Sequence, residues 1–310
     1  MKKRLVFVAL IFCLILSACH SGKKNDIAAT TLPVYEFTSR ITEGTDLEVA
    51  RIVTENVSCL HDYSLQVRQM RILEESDICV ISGAGLEDFL NDALRITPEI
   101  IDSSKDIELL KGGEHEHNHE GHEHIHAHEH HHENDPHIWL SPLKAIEMSK
   151  NIANSLIIEY PKYETIFNEN LEGLIKDLED LYNYGIENLK DLSSREIITF
   201  HDGFAYFADC FDLTILRAVE EEAGSEASAA AIIDLIEEVN YHHIPAVFVE
   251  KNGGDAAAKI IASETGVKLY MLDMAMSADS YFDAIYYNID TIKEALRWVI
   301  MEIVAAISAV

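Results

Sequence analysis

Short apolar runs alternate with segments of helical periodicity along most of the chain. In the first half, Leu47 to Val53, Ile78 to Ser82 and Ile100-Ile101 predict strands. The later runs that predict strands are Glu196 to Phe200, Leu213 to Leu216, Ala246 to Val249 and Val267 to Met271. Between the runs, apolar side chains recur every three to four residues, as on one face of a helix. This alternation is typical of βα units, so the sequence predicts an α/β protein of two lobes, each a mostly parallel sheet flanked by helices.

The longest periodic segment lies between the two series of runs. From Lys162 to Lys190, gaps of three, one and four residues place the apolar side chains on one helix face. Pro161 suits the first turn of such a helix, whereas Gly185 weakens its interior by about 1 kcal/mol relative to Ala. The helix would span roughly 43 Å, long enough to run along both lobes. We therefore predict a first lobe over residues 27–160, one long rigid linking helix over 161–192 and a second lobe over 193–310.

The N-terminus has the pattern of a secretion signal. A basic start at residues 2–4 precedes an apolar run over residues 5–16, which is too short to span a bilayer. The run ends in the sequence LSAC, which resembles a bacterial lipobox and predicts lipidation of Cys19. The alternative is a signal cut after Ala18 with Cys19 incidental. We expect a lipoprotein signal peptide over residues 1–18 and a tether over 19–26. The protein is then extracytoplasmic and lipid-anchored to the bacterial cell membrane, at its outer face or periplasmic side.

The charge balance narrows the choice of partners. Asp and Glu number 54 against 24 Lys and Arg, which gives a formal net charge of −30. A surface this acidic repels phosphate backbones and attracts cations, so we expect no nucleic-acid partner.

Apart from the signal peptide and Cys19, the cysteines are Cys59, Cys79 and Cys210, without a CxxC spacing. Neither a disulfide framework nor a thiolate zinc site is indicated, and whether one disulfide forms is left open.

A low-complexity insert, Lys111 to Asn134, alternates His with Glu and has no apolar periodicity. Ten histidines lie in it: His115, His117, His119, His122, His124, His126, His128, His130, His131 and His132. Such a segment cannot bury enough surface to offset its ordering entropy, so we predict a mobile loop with weak secondary sites for divalent metals. An expression tag or a solvated polar loop is the alternative, but a tag would be terminal and would not alternate with Glu.

Three further histidines lie where a predicted strand gives way to a loop or helix, namely His61, His137 and His201. Ligands collect outside the carboxyl ends of strands in open α/β sheets, so these loops are expected to converge. Asp273, which follows another predicted strand, is the natural fourth ligand. Three imidazoles and one carboxylate suit tetrahedral Zn²⁺ better than the harder Mn²⁺. Glu250, at the end of one more strand, is the main rival, whether as ligand, as acceptor behind a ligand or as an acid that bridges the lobes.

Four stretches resemble, in this order, the signature blocks of a transport family. They are His61 to Leu65 (HDYSL), Asp135 to Pro142 (DPHIWLSP), Phe200 to Phe207 (FHDGFAYF) and Val247 to Glu250 (VFVE). They look like those of the metal-specific solute-binding proteins of bacterial ABC transporters (cluster A-I), in the zinc, ZnuA-like, branch. The resemblance covers the chain from about Ile27 to Leu296. It implies two lobes joined by a rigid helix, metal held at their interface, and delivery to a membrane permease with a cytoplasmic ATPase.

The resemblance also implies roles for individual residues. By position, His61, His137 and His201 match the three zinc histidines of the family, and His201 stands where manganese and iron members commonly carry Glu. A His-rich charged loop before the DPH block is likewise typical of zinc members. This chain departs from the family at two points. Met274 follows Asp273 where members often have Pro, and Leu60 precedes the first His where some zinc members have Glu.

The sequence therefore predicts a monomeric, non-enzymatic protein that captures Zn²⁺ outside the cytoplasm for an ABC transporter. A binding protein selective for manganese, iron or nickel is the first alternative. An exported zinc hydrolase is the second, because three histidines and an open position also describe catalytic zinc, with Glu250 as base. Against the hydrolase, no HExxH pair is present, and a carboxylate in the fourth position leaves no activated water. Surface adhesion is compatible with either function. Because a ligating imidazole must be neutral, zinc affinity should fall below about pH 6.5.

Overall fold

The computed structural model describes residues 25–55, 57, 60, 63–95, 99–112, 134–220 and 227–297. The signal peptide, Cys19, Cys59, His61, the ten loop histidines and the tail from Trp298 lie outside these residues, so the expectations about them stay predictions. Cys79 and Cys210 are free thiols. No helix in the described part of the chain is both long enough and apolar enough to cross a lipid bilayer.

The first lobe is built on a parallel sheet with the strand order β2-β1-β3-β4. Its elements are β1 (Ile27–Ala29), α1 (Leu32–Ile41), β2 (Val49–Arg51), α2 (Val67–Glu75), β3 (Ile78–Ile81), α3 (Asn91–Leu94) and β4 (Glu99–Asp102). Strands β2, β3 and β4 overlap the predicted runs. Strand β1 is not predicted from the sequence, because three apolar residues set no period. It is fully buried nonetheless, since it pairs with a strand on either side.

Two long helices lead from the first sheet to the second. A 3₁₀ turn (Ile138–Leu140) precedes α4 (Pro142–Glu159), and another (Pro161–Tyr163) precedes α5 (Glu164–Leu189). Helix α5 is the predicted connection, 26 residues and roughly 39 Å long. It packs against α1 and α4 and also against the last helix of the second lobe. Close packing requires glycine at position 185, because a Cβ there would lie 2.1 Å from Cε1 of Phe211.

The second lobe repeats the strand order of the first, as β6-β5-β7-β8, again parallel. Its elements are β5 (Glu196–His201), α6 (Ala205–Cys210), β6 (Thr214–Glu220), α7 (Ala229–His242), β7 (Ala246–Glu250), α8 (Ala256–Thr265), β8 (Lys268–Leu272) and α9 (Tyr281–Leu296). Every strand of this sheet overlaps a predicted run. The predicted α/β class with two parallel sheets is therefore confirmed. The domain boundaries at residues 160 and 193 stay predictions.

One hydrophobic core runs through both lobes. It includes Val80 of β3, Leu178 of α5 and Phe248 of β7, each with no more than 1% of its surface exposed. A smaller core, which includes Val247 and Leu235, covers the opposite face of the second sheet. Neighbouring residues of β7 thus face different cores, as the two-residue period of a strand requires. Shared apolar packing therefore joins the lobes in addition to the chain connection.

The segment over residues 274–281, which we call the strap, binds the second lobe to the first. The carbonyl of Met274 accepts a hydrogen bond from Nε1 of Trp139, at 2.8 Å. The carbonyl of Met276 accepts one from the guanidinium of Arg51, at the end of β2. Because these donors come from distant parts of the first lobe, the strap fixes the two lobes relative to one another.

Candidate metal centre

The carboxyl ends of three strands meet at one edge of the second sheet. Strand β5 ends at His201, β7 ends at Glu250, and Asp273 follows β8 directly. The parallel register sets Glu250 beside Leu272, one residue before Asp273. These predicted site residues therefore share the edge at which open α/β sheets bind their ligands.

His137 reaches this edge from the first lobe, in the loop before the 3₁₀ turn over Ile138–Leu140. Oδ1 of Asp135 accepts hydrogen bonds from both the backbone N–H (2.9 Å) and Nδ1 (2.7 Å) of His137. Because Nδ1 donates to the carboxylate, the lone pair of the imidazole is on Nε2 and points away from Asp135. Tyr206 of α6 donates to the carbonyl of Asp135 at 3.1 Å and ties this segment to the second lobe. Burial raises the pKa of Tyr206 to about 12, so the hydroxyl keeps its proton.

The Nε2 atoms of His137 and His201 lie 3.4 Å apart. The two rings are almost perpendicular, at 89°, and both residues are buried, with 2% and 1% of their surface exposed. Two nitrogen ligands at about 2.0–2.1 Å from a tetrahedral ion lie about 3.3–3.4 Å from each other. The two imidazoles therefore already have the separation that one shared zinc ion requires.

A carboxylate lies behind His201 as well. Oε1 of Glu250 is 3.5 Å from Nδ1 of His201, and both side chains are buried. Within the described part of the chain, Nδ1 of His201 has no hydrogen-bond partner, so a small shift toward Glu250 would complete one. Each imidazole thus presents Nε2 to the centre and Nδ1 to a carboxylate, which is how proteins orient metal-binding histidines. Among the alternatives open for Glu250, this geometry favours the acceptor behind a ligand.

Neighbouring residues shape the space around the imidazoles. A Cβ on Gly203 would lie 2.6 Å from Cδ2 and 2.8 Å from Nε2 of His201, so only glycine fits beside the ring. Trp139 packs edge-on against His137, with ring centroids 5.4 Å apart, and its Nε1 is bound to the strap. Both residues lie within the motifs that resemble those of the transport family, although the sequence alone indicated no role for them. They determine how freely the rings can move.

The carboxylate of Asp273 is turned away from the histidine pair. The backbone N–H of Asp273 donates to Oδ1 of Asn288, and its carbonyl accepts from Nδ2 of Asn288, both at 2.7 Å. In the side chain, Oδ1 accepts from the N–H of Ala275 (2.8 Å) and Oδ2 from Nζ of Lys251 (3.2 Å). No group of three or more His, Cys, Asp or Glu is spaced to hold a metal ion among the residues described. Of the predicted ligands, the structure brings two histidines together and directs the Asp273 carboxylate to Lys251.

His61 lies outside the described residues, so its role as the third imidazole stays a prediction. Residues on either side of it are described. Leu60 is fully buried, and Tyr63 donates to Oε2 of Glu55 at 2.6 Å. The chain is therefore anchored one residue before and two residues after His61.

Three further residues at the site were not predicted from the sequence. Asp135 lies two residues before His137, a spacing at which an Asp side chain commonly accepts a hydrogen bond from the backbone N–H. This contact could therefore have been predicted from the sequence. Asn288 interrupts the buried face of α9 between Ile285 and Ile289, and a polar residue in an apolar stripe indicates a buried partner. No sequence pattern predicts the role of Lys251, because its contact with Asp273 depends on the register of β7 and β8.

Two parallel α/β lobes, with a histidine from each at their junction, define the class of two-lobed solute-binding proteins. The chain belongs to the family described as ZnuA, zinc-uptake complex component A, periplasmic, whose model matches residues 27–295. The resemblance inferred from the motifs is thereby confirmed. The family is one of zinc-binding transport proteins and is not an enzyme family.

Individual relatives agree with this assignment. The chain is 29% identical to the zinc-binding lipoprotein AdcA of Streptococcus pneumoniae (strain ATCC BAA-255 / R6), over 95% of this chain and 61% of that protein. It is 28% identical to the high-affinity zinc uptake system protein ZnuA of Bacillus subtilis (strain 168), over 90% of each. The chain thus spans about three fifths of the length of the AdcA relative and most of the ZnuA relative.

Solved structures confirm the two-lobe fold. Zn(II)-bound AdcA from Streptococcus pneumoniae superposes with a TM-score of 0.73 at 26% identity, over 89% of this chain and 58% of that one. A crystal structure of ZnuA gives a TM-score of 0.74 at 26% identity, over 88% of this chain and 99% of that one.

Proposed function

We propose that this chain is the zinc-binding component of a bacterial ABC transporter. It captures one Zn²⁺ between its lobes and delivers the ion to a membrane permease that a cytoplasmic ATPase drives. The observation that carries this proposal is the 3.4 Å separation of the Nε2 atoms of His137 and His201, each imidazole with a carboxylate behind it. Relatives named for zinc binding and zinc uptake support the same cargo.

The proposed donor set is three imidazoles and one carboxylate. His61 is the third imidazole beside His137 and His201, and Asp273 completes the tetrahedron. Glu250 orients the ring of His201 and is not itself a ligand. Neutral imidazoles in four-coordinate geometry suit Zn²⁺. The same set disfavours Mn²⁺, which prefers more oxygen ligands, and Ni²⁺, which prefers square-planar or tetragonal geometry.

We assign no catalytic activity to the chain. A hydrolase needs one coordination position open for an activated water. In the proposed site the carboxylate of Asp273 takes that position, and Trp139 and Gly203 leave little room around the rings. Turnover of ester or peptide substrates by the zinc-loaded protein, above the rate of the metal-free protein, would favour the hydrolase instead.

The surroundings of the site suit capture outside the cytoplasm. A lipid on Cys19 keeps the protein at the membrane, beside its permease. The formal charge of −30 raises the local concentration of cations. The His-rich loop supplies weaker sites that hold zinc before it passes inward. The protein acts as a monomer in this scheme.

Calorimetric titration of the mature chain with Zn²⁺ tests the proposal. We expect one tight site and several weaker ones. Lys111 and Asn134 form an antiparallel bridge at the base of the His-rich loop, so a short Gly-Ser linker can replace residues 113–133 without stretching the fold. That replacement should remove the weaker sites and keep the tight one. Loss of all zinc binding would show that the tight zinc site does not lie between the lobes.

Substitution of single histidines identifies the ligands. His201→Ala and His137→Ala each remove one nitrogen donor and should weaken the tight site by at least about 100-fold, more than loss of an outer partner does. His242→Ala, at the exposed end of α7, is the matched control and should leave the affinity unchanged. An unchanged zinc affinity in His201→Ala would exclude His201 as a ligand. In competition titrations of the native protein, Zn²⁺ should displace Mn²⁺ and Ni²⁺.

A further inference from the structure

Lys251 and Asp273 occupy equivalent places after two neighbouring strands. Glu250, the last residue of β7, pairs with Leu272, the last residue of β8. The backbone N–H of Lys251 continues the ladder by donating to the carbonyl of Leu272 at 2.8 Å. Because successive side chains alternate between the faces of a sheet, Glu250 points to His201 while Lys251 points to the other side, where Asp273 lies.

Two groups hold the ammonium of Lys251. Oδ2 of Asp273 lies 3.2 Å from its Nζ, and the ring of Tyr287 lies beneath it, with Nζ 3.5 Å from the ring centroid. The side chain of Asp273 is 9% exposed and that of Lys251 36% exposed, so the pair is only partly screened by water. The ammonium therefore has an aromatic resting place that does not depend on the carboxylate.

The backbone at Asp273 cannot move far. Asn288 binds both its N–H and its carbonyl, and Asn288 is itself fully buried. The next residue, Met274, reaches the histidine site: its carbonyl binds Trp139, and its methyl group lies 2.7 Å from where a Cβ on Gly203 would be. Asp273 thus precedes a residue that packs beside the histidine site, and its own backbone is fixed. Only rotation of its side chain can change the partner of its carboxylate.

We propose that Lys251 is a built-in competitor of the metal ion, which binds the Asp273 carboxylate in the metal-free protein and must release it when zinc binds. Lys251 thereby sets the zinc affinity and keeps it below the value that the four ligands alone would give. On release, the ammonium remains over Tyr287. This inference rests on the proposed function, since it takes Asp273 as the fourth zinc ligand.

Competition titrations with a chromophoric zinc chelator, which reports only the tight site, test this proposal on the full mature chain. In Lys251→Met, the dissociation constant should fall about three- to fivefold, as expected for loss of a partly exposed ion pair, since the contact with Tyr287 is made in both states and does not contribute. Lys259→Met removes the same charge from an exposed pair with Asp255 and controls for the general field of the protein. It should change the dissociation constant by less than about twofold.

A double-mutant cycle shows whether the gain passes through Asp273. Asp273→Asn should weaken zinc binding, and Lys251→Met in that background should give no further change. An equal gain with and without Asp273, or a gain no larger than that of Lys259→Met, would overturn the proposal. Tyr287→Leu keeps the charge and removes a contact that the ammonium makes both before and after release, so it should change the zinc dissociation constant by less than about twofold, and a larger change would contradict a resting place common to both states. If the native protein shows no tight zinc site at all, the proposed function fails, and that result differs from every outcome of the cycle.

Discussion

The two lobes have the same strand order, yet different residues lie at the carboxyl ends of their two central strands. Each sheet has two central strands, β1 and β3 in the first lobe and β5 and β7 in the second. The direction in which the chain adds strands reverses between these two. In the second lobe, β5 and β7 end in His201 and Glu250. In the first lobe, Thr30 and Ser82 follow the two strands, and a buried carboxylate lies over them.

That carboxylate, Glu87, is bonded to neutral donors. Its Oε1 accepts from the hydroxyl of Thr30 and from the N–H of Ser82, both at 2.7 Å, and its Oε2 accepts from the N–H of Gly83 at 2.9 Å. Burial nevertheless raises the pKa of Glu87 to about 7, which these hydrogen bonds only partly oppose. Glu87 thus closes the edge of the first sheet as a structural plug.

The comparison shows that a buried carboxylate at the switch point of an α/β sheet does not by itself indicate a metal site. What differs is the partner. Hydroxyl and amide donors use up the oxygens of Glu87, whereas Glu250 lies behind an imidazole whose other nitrogen faces a second imidazole. The edge of the first sheet is therefore sealed, whereas the edge of the second sheet carries a donor atom that meets His137 of the first lobe.

The largest expected effect concerns stability in the first lobe. The pKa of Glu87 is about 7 in the folded chain against 4.5 for an ordinary glutamate, so the folded state holds its proton to higher pH than the unfolded chain does. The stabilisation is complete below pH 4.5 and is lost as pH rises to about 7. It amounts to about 3 kcal/mol. Denaturant unfolding between pH 4 and 8 should show this fall in the native protein and a flatter profile in Glu87→Gln. Equal profiles would show that Glu87 does not titrate with folding.

The next effect concerns the carboxylate of the second lobe. Glu250→Gln should weaken zinc binding by about 10- to 100-fold, as loss of an outer partner of a metal-binding histidine usually does. Glu87→Gln is the matched control, and its zinc affinity should stay within about twofold of the native value. An unchanged affinity in Glu250→Gln would remove the contrast between the lobes. A loss far beyond 100-fold would make Glu250 a ligand.

A smaller effect is expected from crowding the site. Gly203→Ala places a methyl group against the ring of His201, and overpacking of this kind costs about 1–3 kcal/mol. Displacement of the ring should raise the zinc dissociation constant about tenfold. Gly254→Ala, where an added Cβ meets nothing within 4 Å, is the control. Equal affinity in the two variants would show that the ring has room to move.

The smallest effect comes from the plug. Thr30→Val keeps the shape of the side chain but removes the hydroxyl that donates to Glu87, which should lower the free energy of unfolding by about 1 kcal/mol. Zinc affinity should not change. Thr199→Val is the control, because the hydroxyl of Thr199 is buried without a hydrogen-bond partner among the described residues. Thermal or denaturant unfolding of both variants, with zinc titration of each, measures the contrast.

The sequence predicted most of the architecture because its strands and helices carry their own periods. The expectation that both histidines lie at strand ends holds for His201 but is wrong for His137, which lies in a loop before a 3₁₀ turn, although the structure does show the pair at ligand spacing. The short strand β1 had no period to read. The direction of the Asp273 carboxylate was also beyond the sequence, since it depends on the β7–β8 register and on a side-chain rotation. The packing reason for Gly185 needed Phe211, which is distant in the chain.

The strap has a consequence for unloading. It begins one residue after Asp273 and is bonded to Trp139, which packs against His137, so one piece of backbone connects the proposed fourth ligand with the contact between the halves. Separation of the halves would therefore break this hydrogen bond and disturb the packing of Trp139 against His137. In the proposed function, release of the ion is thus linked to separation of the halves.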